Sequence, residues 1–165
     1  VVCTHGDEFA PLQLFLRHPY GQTEKVEWEV MVANWKAAFT HTRFIDDDLN
    51  RLFGESQKNP KKSWETNLAT SIRKRIATKH YDVVYDMHTT TRIKPKGFPG
   101  CIFINIHDEA NLAASSYVKA PYIIWDNNPN FNKQYLTSCH PVGITLEYQK
   151  TAMFNNDVRR VMSDF

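Results

Sequence analysis

Residues 5–8 read His-Gly-Asp-Glu and follow the apolar start Val1-Val2-Cys3 almost at once. If the chain leaves a short strand there and turns into helix, the three-residue spacing puts His5 and Glu8 on one face. Both are zinc ligands by type. The same pair also fits a surface cluster that caps a helix, so a third donor has to decide between the two. Catalytic zinc sites take three protein ligands and keep a position open for water. His88 is the candidate third donor. It stands where the apolar run around Val83 and Val84 gives way to Thr89, Thr90 and Thr91. Open α/β sheets gather their ligands at such carboxyl ends of strands. Taken alone, His88 also reads as a structural histidine.

Two further segments carry charge that needs a purpose. In Thr42–Gly54, Arg43, Asn50 and Arg51 stand among acidic residues. Paired cations argue for an anionic ligand, and the planar fork of arginine suits a carboxylate. The competing reading pairs Arg51 with Asp46, Asp47 or Asp48 in a solvated network. In Val142–Tyr148, the apolar Val142, Ile144, Leu146 and Tyr148 alternate with Gly143, Thr145 and Glu147, so Glu147 faces away from the apolar side. A carboxylate near the end of an otherwise buried strand calls for a salt bridge to an arginine or a role as general base. Asp7 suits a supporting or capping role better than ligation. His18, His41, His80, His107 and His140 have no evident metal partners. The zincin signatures H-E-x-x-H and H-x-x-E-H are absent, the second because residue 9 is Phe. There is no G-x-S-x-G elbow and no glycine-rich nucleotide loop.

The elements that must position these groups alternate strand with helix, which points to α/β architecture. Val26, Trp28, Val30 and Val32 recur at every second position and predict a half-buried strand. Leu68, Ile72 and Ile76 recur at every fourth, among Arg73, Lys74, Arg75 and Lys79, and predict an amphipathic helix over 63–79. Strands are expected around 81–88, 100–106 and 142–148, a short buried strand at 122–125, and a helix at 108–119. A final helix is expected to carry Val158, Val161, Met162 and Phe165, capped by Asn155 or Asn156. Linkers are expected at 19–24, 54–62, 92–99 and 126–134. The chain has 165 residues, 42% hydrophobic and 13% aromatic, enough for one real core and hence one domain. A net charge of +2 and one short basic stretch, 58–62, argue against nucleic acid. No apolar run reaches the roughly 18 residues of a membrane span, and the start lacks a signal-peptide pattern, so a cytoplasmic protein is expected. Cys3, Cys101 and Cys139 are odd in number and far apart, which fits buried small hydrophobes rather than a disulfide framework or a zinc knuckle. Opening at Val1 on a stub of strand, the chain reads as part of a longer product.

In order and spacing, four segments resemble the aspartoacylase and succinylglutamate desuccinylase family, deacylating relatives of the zinc carboxypeptidases. The family pattern is similar to H-G-[ND]-E, R-[YF]-x-x-x-D-x-N-R-x-F, D-[LM]-H-[NT]-[TA] and a late-strand Glu after a G-[IF]-T turn. Here these are HGDE, RFIDDDLNRLF, DMHTT and GITLEY, within a resemblance running from about residue 3 to about 157. The family's Asn-Pro before the arginine segment is replaced by Ala33-Asn34-Trp35, and its C-terminal β-rich portion is not among these residues. The resemblance implies one zinc carboxypeptidase-like domain over 1–165, a mixed sheet flanked by helices. It implies His5, Glu8 and His88 as zinc ligands, Arg43 polarising the scissile carbonyl and stabilising the oxyanion, and Asn50 and Arg51 gripping a substrate carboxylate. Glu147 would take the proton from water and pass it to the leaving amine. The activity implied is zinc-dependent hydrolysis of a small anionic N-acyl amino acid resembling N-acetylaspartate or N-succinylglutamate. A homo-oligomer is compatible with the resemblance. Two other readings stay open: a zinc carboxypeptidase acting on peptides, and a non-catalytic module that binds metal or carboxylate.

Overall fold

The computed structural model describes residues 1–17, 26–54, 62–90, 100–105, 108–116, 118, 122–126 and 134–149. Its strands are β1 (Val84–Thr90), β2 (Gly100–Asn105), β3 (Tyr122–Asp126) and β4 (Gly143–Gln149), in the order β1-β4-β2-β3. β1 and β4 run parallel, as do β2 and β3, while β2 and β4 are antiparallel. The sheet is therefore mixed, as expected. Its helices are α1 (Ala10–Arg17), α2 (Trp35–Thr40), α3 (Trp64–Thr78) and α4 (Glu109–Ser115). None of them is long and apolar enough to cross a membrane.

Strand alternation divides the interior in two. On β1, Val84 packs with Leu49, Phe53, Ala69, Ile72, Ile76 and Leu136, whereas Met87 packs with Val2, Leu14, Ile144, Leu146 and Tyr148 on the other side. Ile144, Leu146 and Tyr148 point one way from β4, so Thr145 and Glu147 point the other, toward the face that Val84, Asp86 and His88 share. The α3 helix begins where Ser63 Oγ accepts the Thr66 amide at 3.2 Å. It buries Ile72 and Ile76 as their spacing predicts, together with Ala69, while Leu68 is only partly buried against the same cluster.

Three expectations need correction. The alternating segment 26–32 is not a strand: Val26 and Val30 are exposed, and only Val32 makes a bridge, to Val2. Val2 N–H donates to Met31 O at 2.9 Å, and Val2 O accepts the Ala33 amide at 2.9 Å. β3 forms as expected but is not buried, since Tyr122, Ile123 and Ile124 are 49%, 43% and 41% exposed on an edge strand. His5 and Glu8 lie in a turn rather than a helix, and α1 starts only at Ala10. The expected helix at the end and most linker residues fall outside the described residues.

Candidate metal centre and active site

Val2 is held between Val32 and Met87, and Cys3 then takes a left-handed backbone (φ 56°) that turns the chain off the sheet edge. The following turn closes with the Glu8 amide on His5 O at 3.1 Å, so the three-residue spacing still brings both side chains together. Gly6 allows this turn to lie against α2: a Cβ there would sit 2.1 Å from the Ala37 carbonyl carbon and 2.4 Å from the Ala38 nitrogen. Its amide donates to Arg43 O at 3.0 Å, which ties the turn to the arginine segment.

His5, Glu8 and His88 converge. His5 Nδ1 lies 2.8 Å from Glu8 Oε1 and His88 Nδ1 lies 2.9 Å from Glu8 Oε2. The three donor atoms fall within 4.8 Å of one another, all from buried residues. The Thr89 amide fixes the carboxylate further by donating to Glu8 Oε2 at 3.0 Å. The far nitrogen of each imidazole is also held by a carboxylate. His88 Nε2 lies 2.7 Å from Asp86 Oδ2, and Thr4 Oγ1 donates to Asp86 Oδ1 at 2.7 Å. His5 Nε2 lies 3.0 Å from Asp48 Oδ1. Metal-binding histidines are oriented in this way, with a second carboxylate fixing the tautomer that leaves the other nitrogen free to ligate. Two imidazole nitrogens and a carboxylate oxygen form a zinc donor set. The residues present fit the metal.

Charges in the cluster follow from this arrangement. Burial works against a charged His5, but hydrogen bonds to Asp48 and Glu8 outweigh it and raise its pKa. Burial likewise opposes charge on His88, and Asp86 and Glu8 raise its pKa well above the ordinary value. Burial alone would raise Glu8, Asp86 and Asp48, yet the facing imidazoles hold all three below the carboxylate range, Asp48 at about 2. Glu147 is the exception. Burial pushes it up, His88 pulls it down, and repulsion from Glu8 and Asp86 leaves it at about 7. It stands directly across from His88 in the β1–β4 register, and its Oε2 is buried with no hydrogen-bond partner among the described residues.

The other predicted residues border this cluster in different ways. The guanidinium of Arg43 is half-exposed, with Nη2 3.0 Å from His5 Nε2 and Nη1 3.5 Å from Glu8 Oε1. His5 Nε2 can donate to Asp48 or accept from Arg43, and a proton on Nε2 favours Asp48. Asn50 is buried, and its Oδ1 accepts the Leu136 amide at 3.1 Å, so its carbonyl oxygen serves the fold and its amide nitrogen is the group left to donate. Arg51 is exposed. Its Nη1 donates to Asn50 O at 3.0 Å and its guanidinium lies 5.0 Å from the Tyr135 ring centre. No ion pair joins it to Asp46, Asp47 or Asp48 among the described residues. His41 ends α2 with φ 54°, and His140 lies between Val142 O and Tyr81 O at 2.9 Å each. Cys3 is a buried free thiol whose pKa burial pushes up to about 12.

Asp86 and Asp48 stand in the segments DMHTT and RFIDDDLNRLF, and Asp48 was weighed as a partner of Arg51, but the sequence reading gave neither of them, nor Glu65, a role beside the metal ligands. Asp86 lies two residues before His88 on the same strand face, so period-two alternation was a signal for it. Asp48 meets His5 across 43 positions, and Glu65 bonds Ile45 across 20; no local pattern reports either contact.

A family model for the succinylglutamate desuccinylase/aspartoacylase catalytic domain matches residues 1–165. The succinylglutamate desuccinylase of Vibrio campbellii is 26% identical over 163 residues, covering 81% of this chain and 45% of its own length. A probable aspartoacylase of Prochlorococcus marinus is 33% identical over 97 residues, 53% of this chain and 32% of its own. The chain thus spans under half the length of these relatives. Among solved structures, murine aminoacylase 3 superposes with a TM-score of 0.75 at 20% identity, over 98% of this chain and 61% of that one. Succinylglutamate desuccinylase from Vibrio parahaemolyticus gives 0.72 at 17%, over 98% and 52%. These likenesses show the fold, which is zinc carboxypeptidase-like as expected.

Proposed function

The chain belongs to the succinylglutamate desuccinylase/aspartoacylase catalytic-domain family, and from that premise we propose that it hydrolyses the amide bond of an N-acyl amino acid with a metal, zinc, held by His5, Glu8 and His88. The observation that carries the proposal is the convergence of both Nδ1 atoms on Glu8 while separate carboxylates hold both Nε2 atoms. A zinc ion bound there supplies a Lewis acid that acidifies water and polarises a carbonyl.

The protein's own groups then divide the remaining work. Glu147 Oε2 accepts the proton of the attacking water. The hydroxyl joins the acyl carbon, the C–N bond breaks, and the proton leaves with the amine, so the products are a carboxylate and a free amino acid. Arg43, half-exposed beside the cluster, steadies negative charge gathering on the amide oxygen. Asn50, through its amide nitrogen, and Arg51, stacked on Tyr135, receive a substrate carboxylate. Such a substrate is small and anionic, of the acetylated or succinylated kind, and the setting is cytoplasmic.

A substrate panel tests the reading: N-acetylaspartate and N-succinylglutamate against peptides with free C-termini, using zinc-loaded protein. Turnover of the acyl amino acids is expected. Cleavage confined to peptides would mark a carboxypeptidase, and no turnover with zinc bound would mark a binding module. The variant Glu147→Gln should lower turnover at least about a hundredfold while zinc content and thermal stability stay near wild type. A variant that retains most of its turnover would remove Glu147 from the mechanism.

A further inference from the structure

Glu65 is fully buried in the first turn of α3, outside the cluster described above. A buried carboxylate is costly unless its oxygens are satisfied. Here they are satisfied by one loop and its neighbour. Oε1 accepts the Ile45 amide at 2.7 Å and Asn34 Nδ2 at 3.0 Å, while Oε2 accepts the Asp46 and Asp47 amides at 3.1 and 3.2 Å. The three amides are consecutive and lie between Arg43 and Asp48, the two residues whose side chains reach His5 Nε2. Asp46 returns the contact, its Oδ2 accepting the Trp64 amide at 2.9 Å. The loop is therefore bound to the helix start at both of its ends.

We propose that Glu65 is a positioning residue for the active site: by gathering the amides of residues 45–47 it sets Asp48 on His5 Nε2 and aims Arg43 at the cluster. The inference rests on the proposed metal site for its consequence, though not for its geometry. A carboxylate is required because all four partners are donors. Glutamine at this position would turn its own NH2 toward two of them, releasing either the Asp46 and Asp47 amides or the Ile45 amide and Asn34. Once the loop shifts, Asp48 leaves His5, and loss of such a supporting carboxylate typically costs about 10–100-fold in metal affinity.

Zinc alone is the probe, titrated into wild type, Glu65→Gln, Asp48→Ala and the double variant against a chromophoric chelator. Ile76→Val serves as the control that loosens α3 without touching the Glu65 carboxylate. Glu65→Gln should lose about tenfold or more in zinc affinity, Ile76→Val should keep it, and the double variant should lose no more than Asp48→Ala alone. Full additivity, or an equal loss in Ile76→Val, would reduce Glu65 to a residue of general stability and overturn the proposal. A second readout needs no metal. In metal-free protein the His5 Nε2 proton, observed by nitrogen-15 NMR, should exchange slowly in wild type and fast in Glu65→Gln and Asp48→Ala alike. An unchanged His5 signal in a folded Glu65→Gln variant would also overturn it. If wild type binds no zinc, the metal reading fails by itself and the NMR comparison alone decides the role of Glu65.

Discussion

Replacing Gly6 by alanine adds one methyl group at the point where the His5–Glu8 turn meets α2. The added Cβ would lie 2.1 Å from Ala37 C, 2.4 Å from Ala38 N and 2.5 Å from Ala37 O, all of them backbone atoms that cannot rotate away. Carbon contacts settle at about 3.5–4.0 Å, so the turn and α2 must separate by more than about 1 Å. Overpacking of this kind costs about 1–3 kcal/mol. The Gly6 amide would also lose its 3.0 Å bond to Arg43 O, and a lost hydrogen bond costs about 0.5–1.5 kcal/mol more. Together they come to about 2–4 kcal/mol, or roughly 5–15 °C in melting temperature for a domain of this size. The displacement falls between two proposed metal ligands, whose geometry tolerates only about 0.5 Å. Thermal melts with and without zinc provide the assay: Gly6→Ala should melt lower in both and lose most of the zinc-dependent rise. A variant with the wild-type melting temperature and wild-type zinc affinity would refute the packing argument and detach Gly6 from the site.

Arg51→Lys should raise KM for an acyl amino acid more than it lowers kcat, because a point charge reproduces neither the bidentate grip nor the stacking on Tyr135; a large fall in kcat at constant KM would place Arg51 in the chemical step instead. Glu65 titrates below its ordinary range in the folded chain, since its hydrogen bonds outweigh the effect of burial. Its contribution is therefore present above the unfolded pKa of about 4.3 and lost as pH falls through the lower folded value. Denaturant melts should accordingly show stability falling below about pH 4.5 in wild type and a flatter acid limb in Glu65→Gln, while parallel curves would contradict the assignment.

Those residues also mark how far the sequence could be read. The proposed metal ligands were legible because each lies in a local pattern, His5 and Glu8 in one turn and His88 at the end of an apolar strand; the proposed base Glu147 stood out on the polar side of an alternating strand. Their supports were less legible. Alternation puts Asp86 on the strand face of His88, but its bond to the imidazole became visible only once His88 Nε2 was seen 2.7 Å from Asp86 Oδ2. Glu65 carries no signal in the sequence beyond its place near the start of a helix, and only the folded loop 45–47 shows why a carboxylate is buried there. The alternation of Val26 to Val32 failed for the reverse reason. Periodicity reports what a segment could pair with, and among the described residues only Val32 of this segment makes a bridge, to Val2.

Zinc stoichiometry in wild type and His88→Ala addresses the central claim most directly. His88 is buried at 2% exposure, with Nδ1 toward Glu8 and Nε2 toward Asp86, so it offers one ligand atom whose supports are already in place. Elemental analysis after dialysis against dilute zinc should find one ion per wild-type chain and well under half that in His88→Ala, with circular dichroism confirming that the variant is folded. Equal zinc in the two proteins would contradict the account, because the metal would then be held by groups other than His5, Glu8 and His88.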